Sequence, residues 1–347
     1  MNYDEIVKNV RLLSNDQQPT QDISEILMKH KCDYLLKKNK CMDRKTDTLN
    51  KIGIQERYKG CENIFEAFEK NAIPYAVIKG AVLSKMAYGD EFCRRSADMD
   101  LLICRDQMDI VKQILLDAGF IQGRIVDNAM VPFSRRELLF QISMSHQAAP
   151  FIKKTSNPIC PYINVDVNLD IFWGESQHKA DMNDVLQYTE STEISGVKIQ
   201  KLTPEMEFIS LCLHHYKDAN SLYLLWLGKL KLSLFCDVYF YLKNTKLSLQ
   251  SLKQLSDALQ IADYLYYCIY YAYEIFNDSA LVPYMKALKT EESENILKTF
   301  GLSAGEIKTW GIPFYERLFS DDLKQYLETV LSSESLDKIR INMEFMG

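Results

Sequence analysis

One stretch constrains the fold of this chain more than any other: residues 75–104, YAVIKGAVLSKMAYGDEFCRRSADMDLLIC. Tyr75 to Ile78 is a short apolar run that ends in Lys79-Gly80, and Asp98-Met99-Asp100 leads into a second run, Leu101, Leu102 and Ile103. The pattern predicts a strand, a glycine turn, a short helix, a loop, and a second strand opening on two carboxylates. Successive strand side chains alternate in direction, so Asp98 and Asp100 face one way while Met99 and Leu101 face the other. Two like charges held that close push one pKa up unless a cation or a set of donors keeps both ionised. A divalent ion does this most directly, and ligands that are all oxygen suit magnesium (Mg2+) or manganese (Mn2+). The turn supplies the other half, because backbone N–H groups at the start of a helix can face a phosphate. Together the two halves describe a site for a nucleoside triphosphate.

The series Ile78-Lys79-Gly80, Tyr88-Gly89-Asp90, Arg94-Arg95 and Asp98-Met99-Asp100-Leu101-Leu102-Ile103 resembles the nucleotidyltransferase superfamily of DNA polymerase beta. More narrowly, it is similar to a poorly characterised bacterial branch (NTP_transf_5-like) whose members read roughly LKG, then an aromatic, an arginine and DIDLLV. The core of the resemblance covers residues 75–104, with weaker similarity to roughly residue 242. One position departs: the superfamily follows its glycine with Gly or Ser, whereas this chain has Ala81, so a hydroxyl contact to phosphate is missing. The resemblance implies an α+β fold, with a mixed sheet, flanking helices and a mainly helical C-terminal domain.

Asn164 to Trp173 alternates cleanly, with Val165, Val167, Leu169 and Ile171 on one face and Asp166, Asn168 and Asp170 on the other, and reads as a strand. The resemblance implies a third carboxylate here, on a strand next to the first pair. Asp166 is the choice, since the family motif is acidic, apolar, polar, and Asn168 then falls where relatives often carry a histidine. Asp170 is the alternative, and an exposed sheet face without chemistry would show the same alternation.

The rest of the chain divides into N-terminal helices over 1–71, packing beside the sheet, a catalytic domain over 72–200 and a helical domain over 201–347. A helix is expected over Gln107–Ala118, strands over Phe120–Val126 and Glu137–Met144, a buried helix over Leu222–Leu242, and a last helix over Asp321–Val330. His214-His215-Tyr216 and Asp237 match features of similar family members, although adjacent histidines cannot share one helix face and make a poor metal pair. Nine cysteines without a C-x-x-C pair read as reduced thiols, as in a cytoplasm, and the first residues, MNYDEIVKNVRLL, show no apolar leader. Lys229, Lys231 and Asp237 interrupt the most hydrophobic window, which argues against a membrane span.

The expected activity is metal-dependent transfer of a nucleoside monophosphate from an NTP to a hydroxyl. Asp98, Asp100 and Asp166 would hold two ions about 3.5–4 Å apart. Lys79, Gly80, Ala81, Arg94 and Arg95 would hold the nucleotide phosphates. Basic residues number 41 against 47 acidic, a net charge of −6, so the expected acceptor is a small molecule, peptide or protein and no nucleic acid. The sequence leaves open which acceptor it is and whether the chain forms a homodimer. A second class of protein keeps the same fold as a nucleotide or partner binder without turnover, for example an antitoxin-like one. Ala81 and Asn168 lean that way, and the retained Asp98 and Asp100 lean against it.

Overall fold

The structure, a computed structural model, describes residues 2–138, 147–174, 176–303 and 305–346. Its central strands are β1 (Tyr75–Ile78), β2 (Met99–Ile103), β3 (Ile121–Val126), β4 (Ala129–Pro132), β5 (Phe151–Lys154) and β6 (Tyr162–Asn168). Side by side they form one mixed sheet in the order β1-β2-β6-β5-β3-β4. β2 and β6 run parallel and the other neighbours antiparallel. The fold class is α+β, as the sequence implies.

Helices cover both faces, which is why β1 and β2 are buried along their whole length and read as unbroken apolar runs. In chain order the first helices are α1 (Tyr3–Ser14), α2 (Ser24–Lys29), α3 (Asp33–Lys38), α4 (Arg44–Lys70), α5 (Gly80–Tyr88) and α6 (Met108–Asp117). On one face, Phe65 and Phe68 of α4 and Val111 and Leu115 of α6 share a core with Val77, Leu101 and Val165. On the other, Ala76, Ile78 and Leu102 join a larger core built from helices Pro204–Asn220, Leu232–Asn244 and Ala262–Phe276. Residues of α1, α2 and α3 belong to this second core, and Arg11 donates to the carbonyls of Glu274 and Ile275 at 2.7 and 2.6 Å. The N-terminal helices therefore part company: α4 lies in the first core, while α1 to α3 join the helical C-terminal half.

Four sequence expectations change. The strand expected over Asn164–Trp173 ends at Asn168, because the Asp170 side chain accepts the Phe172 N–H at 2.9 Å and starts a turn that competes with the ladder. Where a strand was expected from Glu137, residues 135–138 are helical: Ser134 and Glu137 cap each other reciprocally, Ser134 N–H to Glu137 Oε2 at 2.8 Å and Glu137 N–H to Ser134 Oγ at 3.4 Å. The remainder of that segment, 139–146, lies outside the described residues. The window Leu222–Leu242 is two helices, Leu222–Trp226 and Leu232–Asn244, broken at Gly228, whose φ of 64° only glycine adopts freely. A further helix, Ser333–Met346, follows the one at Leu323–Val330. Among the described residues no helix is long and apolar enough to cross a membrane, and all nine cysteines are free thiols.

Candidate active site

β1 ends at Ile78, and the chain turns through Lys79 and Gly80, with φ of 58° and 45°, into α5. The left-handed conformation comes readily to Gly80, whereas for Lys79 (φ 58°, ψ −148°) it carries strain of about 1–3 kcal/mol. Two contacts hold Lys79 there. Its backbone N–H donates to Glu207 Oε1 at 3.2 Å, and its ammonium donates to Asp100 Oδ1 at 2.8 Å. Ala81 brings no hydroxyl to the turn, but Ser96 Oγ lies 3.2 Å from where a Cβ on Gly80 would stand.

Sheet register assembles the carboxylates. Asp100 of β2 sits directly opposite Asp166 of the parallel strand β6 and opposite Ile78 of β1. Asp98 precedes β2 by one residue and is exposed, with Ser96 Oγ 3.4 Å from its Oδ1. Asp100 is buried and held by the Lys79 ammonium and by the Asn168 amide, which donates to its Oδ1 at 3.2 Å. Asn168 thus stands where a ligand was conceivable but serves as a donor, itself receiving the Gln147 amide at 2.7 Å. Burial, then repulsion from Asp100 and Asp98, pushes the Asp166 carboxyl up to about 7. Asp170, past the strand end, borders a small cavity with Lys79, His214 and Lys217.

Arg94 and Arg95 are committed elsewhere. Arg94 Nε donates to Asp237 Oδ2 at 3.2 Å, and the Tyr88 hydroxyl donates to Asp237 Oδ1 at 2.5 Å. His215 Nε2 is 3.3 Å from the same carboxylate. Burial pushes the Asp237 carboxyl up, and the Arg94 guanidinium, His215 and Tyr88 together more than reverse this, holding it below its ordinary range. Arg95 donates through its backbone N–H and Nε to the buried Asp33, both at 2.9 Å. Both arginines still border a cleft of about 1080 Å³ that runs from Asp98 past His214 and Asp218 to the N-terminal helices.

Helix Pro204–Asn220 turns a polar face to the site, of which the sequence points to His214 alone. Glu207, Ser210, His214 and Lys217 recur at helical spacing, and Asp218 adjoins them. The signal lies in polar residues at i, i+3, i+7 and i+10, set among the apolar positions Phe208, Ile209, Leu211 and Leu213. Glu207 is 2% exposed, its Oε2 has no hydrogen-bond partner among the described residues, and burial raises its carboxyl to about 7. Burial and the neighbouring Lys79 hold His214 neutral, well below the usual histidine range.

Asp166 and Glu207 make stability depend on pH. Their ordinary values are 3.8 and 4.5, and in the folded chain both stand near 7. Between those limits the folded chain binds more protons than the unfolded one, so their contribution is complete at low pH and lost as pH rises through about 7. The melting temperature of the metal-free protein is therefore expected to fall from pH 5 to pH 7.5. The double variant Asp166→Asn/Glu207→Gln should follow a flatter profile, and one unchanged by the substitutions would contradict this account.

The donor set fits a hard divalent ion, since the carboxylates at Asp98, Asp100 and Asp166 are all oxygen and a cation, the Lys79 ammonium, already rests on Asp100. Among the described residues no three His, Cys, Asp or Glu groups stand together as a ready-made metal cage, and the Lys79 ammonium occupies Asp100.

Set beside known proteins, residues 44–277 match the model of a family described as uncharacterised nucleotidyltransferase. Among solved structures, an antigenic nucleotidyltransferase-like protein from Paracoccidioides brasiliensis is similar at 16% identity and a TM-score of 0.38, over 67% of this chain and 93% of that one. No curated protein matches.

Proposed function

The chain belongs to the uncharacterised nucleotidyltransferase family, and from that premise we propose that it moves a nucleoside monophosphate from an NTP to a hydroxyl on a small-molecule, peptide or protein acceptor. The observation that carries this reading is the pairing of Asp100 with Asp166 across β2 and β6, beside the Lys79-Gly80 turn. Asp98, Asp100 and Asp166 would hold the metal, magnesium or manganese. When bound, the metal neutralises phosphate charge and lowers the pKa of the attacking hydroxyl.

The chain's own groups do the positioning. Lys79, released from Asp100, carries its positive charge to the phosphates, and the N–H groups at the start of α5 face them. Ser96 brings a hydroxyl beside the turn, where it donates to the Asp98 carbonyl at 2.8 Å. Glu207 holds the Lys79 backbone in its strained conformation, which keeps the turn open toward the ligand. Catalysis of this kind is mostly placement and electrostatics, so these fixed contacts matter more than any single acid or base.

Lys79 and Asn168 already satisfy Asp100 without metal, a self-consistent state for a nucleotide binder without turnover. Thermal stability with magnesium and each NTP tests the site that both readings share: a gain is expected only when both are present. Pyrophosphate release with hydroxyl acceptors then separates transferase from binder. No stabilisation by any NTP with magnesium would remove both.

A further inference from the structure

Four lysines gather along one part of the cleft wall. Lys29, Lys31, Lys229 and Lys231 all border it. They come from two separate segments that His30 ties together: its Nδ1 accepts the Leu232 N–H at 3.1 Å and its carbonyl accepts the Ser233 N–H at 3.3 Å. His30 is 2% exposed, and burial followed by the charge of Lys231 and Lys29 depresses it to about 3, so it adds no charge and acts as a neutral clamp.

This grouping stores repulsion. Lys29 pairs with Asp321, but among the described residues Lys31, Lys229 and Lys231 have no ion-pair partner. Burial and then the neighbouring ammoniums of Lys29, Lys31 and Lys229 push Lys231 below its ordinary value. Lys231 is also the N-cap of helix Leu232–Asn244, the end where the backbone dipoles already present positive charge and where a cation is disfavoured. Asp321, paired with Lys29, is the carboxylate that acts on Lys231, and it leaves the cluster of four lysines with a net positive charge.

We infer that the lysine-lined part of the cleft is an anion site, and that it takes a phosphate group carried by the acceptor. This rests on the transferase reading above. The donor phosphates belong at the Lys79-Gly80 turn, whose two small cavities are bordered by Gly80, Ser96 and Asp100 on one side and by Lys79 and Lys217 on the other, and none of the four lysines reaches either. At about 1080 Å³ the cleft lies at the upper end of the usual ligand-pocket range of about 300–1,000 Å³, with room for a sizeable acceptor. Its walls also carry the exposed apolar side chains Met28, Leu49, Ile125 and Ile159. The fitting acceptor is therefore a phosphorylated molecule with an apolar body, its phosphate on the lysines and its hydroxyl directed toward Asp98.

The test is calorimetric titration of the full chain with hexyl phosphate in low-salt, magnesium-free buffer. Binding is expected, weaker with inorganic phosphate, at least tenfold weaker in Lys31→Ala/Lys229→Ala/Lys231→Ala, and retained when the same three become Arg. It should persist in Asp100→Asn and in the presence of magnesium and a non-hydrolysable ATP analogue. Absence of binding, or equal binding by the alanine variant, would overturn the site. Full competition by the magnesium nucleotide would overturn its assignment to the acceptor and give the lysines to the donor. Lysine-dependent binding by a protein indifferent to magnesium nucleotides would instead sink the transferase reading while the anion site stands.

Discussion

Asp100→Asn is expected to abolish the stabilisation by magnesium and NTP together, and to lower nucleotidyl transfer by at least about a hundredfold, the order of losing one positioned electrostatic contact at a reacting centre. Asp100 is the carboxylate on which the site converges: it faces Asp166 across the sheet, takes the Lys79 ammonium at 2.8 Å, and receives the Asn168 amide at 3.2 Å. The amide variant keeps the shape and still accepts from Asn168, but it removes the charge that draws a cation. Lys79 retains Asp218 and Asp98 as counter-charges, so the far-UV circular dichroism should not change. Pyrophosphate release and melting curves read the two effects separately. A variant that responds to magnesium and NTP like the original would show that Asp100 holds no metal.

The largest loss of stability is expected from Asp237→Ala. This carboxylate is 1% exposed and satisfies Arg94, Tyr88 and His215 at once. Truncation leaves a guanidinium, a hydroxyl and an imidazole facing an emptied position, and breaking a buried pair from one side costs about 3–5 kcal/mol. Chemical denaturation measures it, and a loss under about 1 kcal/mol would show that the cluster is relieved by water. Function should suffer as well. Tyr88 ends α5 and Arg94 lies on the loop into Asp98, so Asp237 ties both ends of that loop to helix Leu232–Asn244.

The parts of this site that were legible in the sequence are those written over short distances. β1, the glycine turn and β2 follow from apolar runs, Gly80 and the paired aspartates within residues 75–104. Val165 and Val167 alternate with Asp166, which gave the face of β6, but the strand's end depended on a side-chain bond from Asp170 that alternation does not reveal. Ser134-Arg135-Arg136-Glu137 carries the capping box that starts a helical turn at residues 135–138, a short-range signal that the strand expectation from Glu137 did not weigh. Arg94 and Arg95 read as phosphate ligands because the partners that occupy them, Asp237 and Asp33, lie 143 and 62 residues away in sequence. The same distance hid Glu207 from the Lys79 turn, 128 residues earlier. The lysine cluster is likewise a tertiary product, since nothing in the sequence joins Lys29 and Lys31 to Lys229 and Lys231 except the fold that puts His30 against Leu232.

A divalent cation is expected to take the place of the Lys79 ammonium between the β2 and β6 carboxylates. The most direct measurement is the anomalous difference map of crystals grown with manganese and a non-hydrolysable NTP. A manganese peak bounded by Asp98, Asp100 and Asp166, with Lys79 swung off Asp100 onto the triphosphate, is the predicted result. A map in which Lys79 still pairs with Asp100 and manganese is absent from these three residues would contradict it.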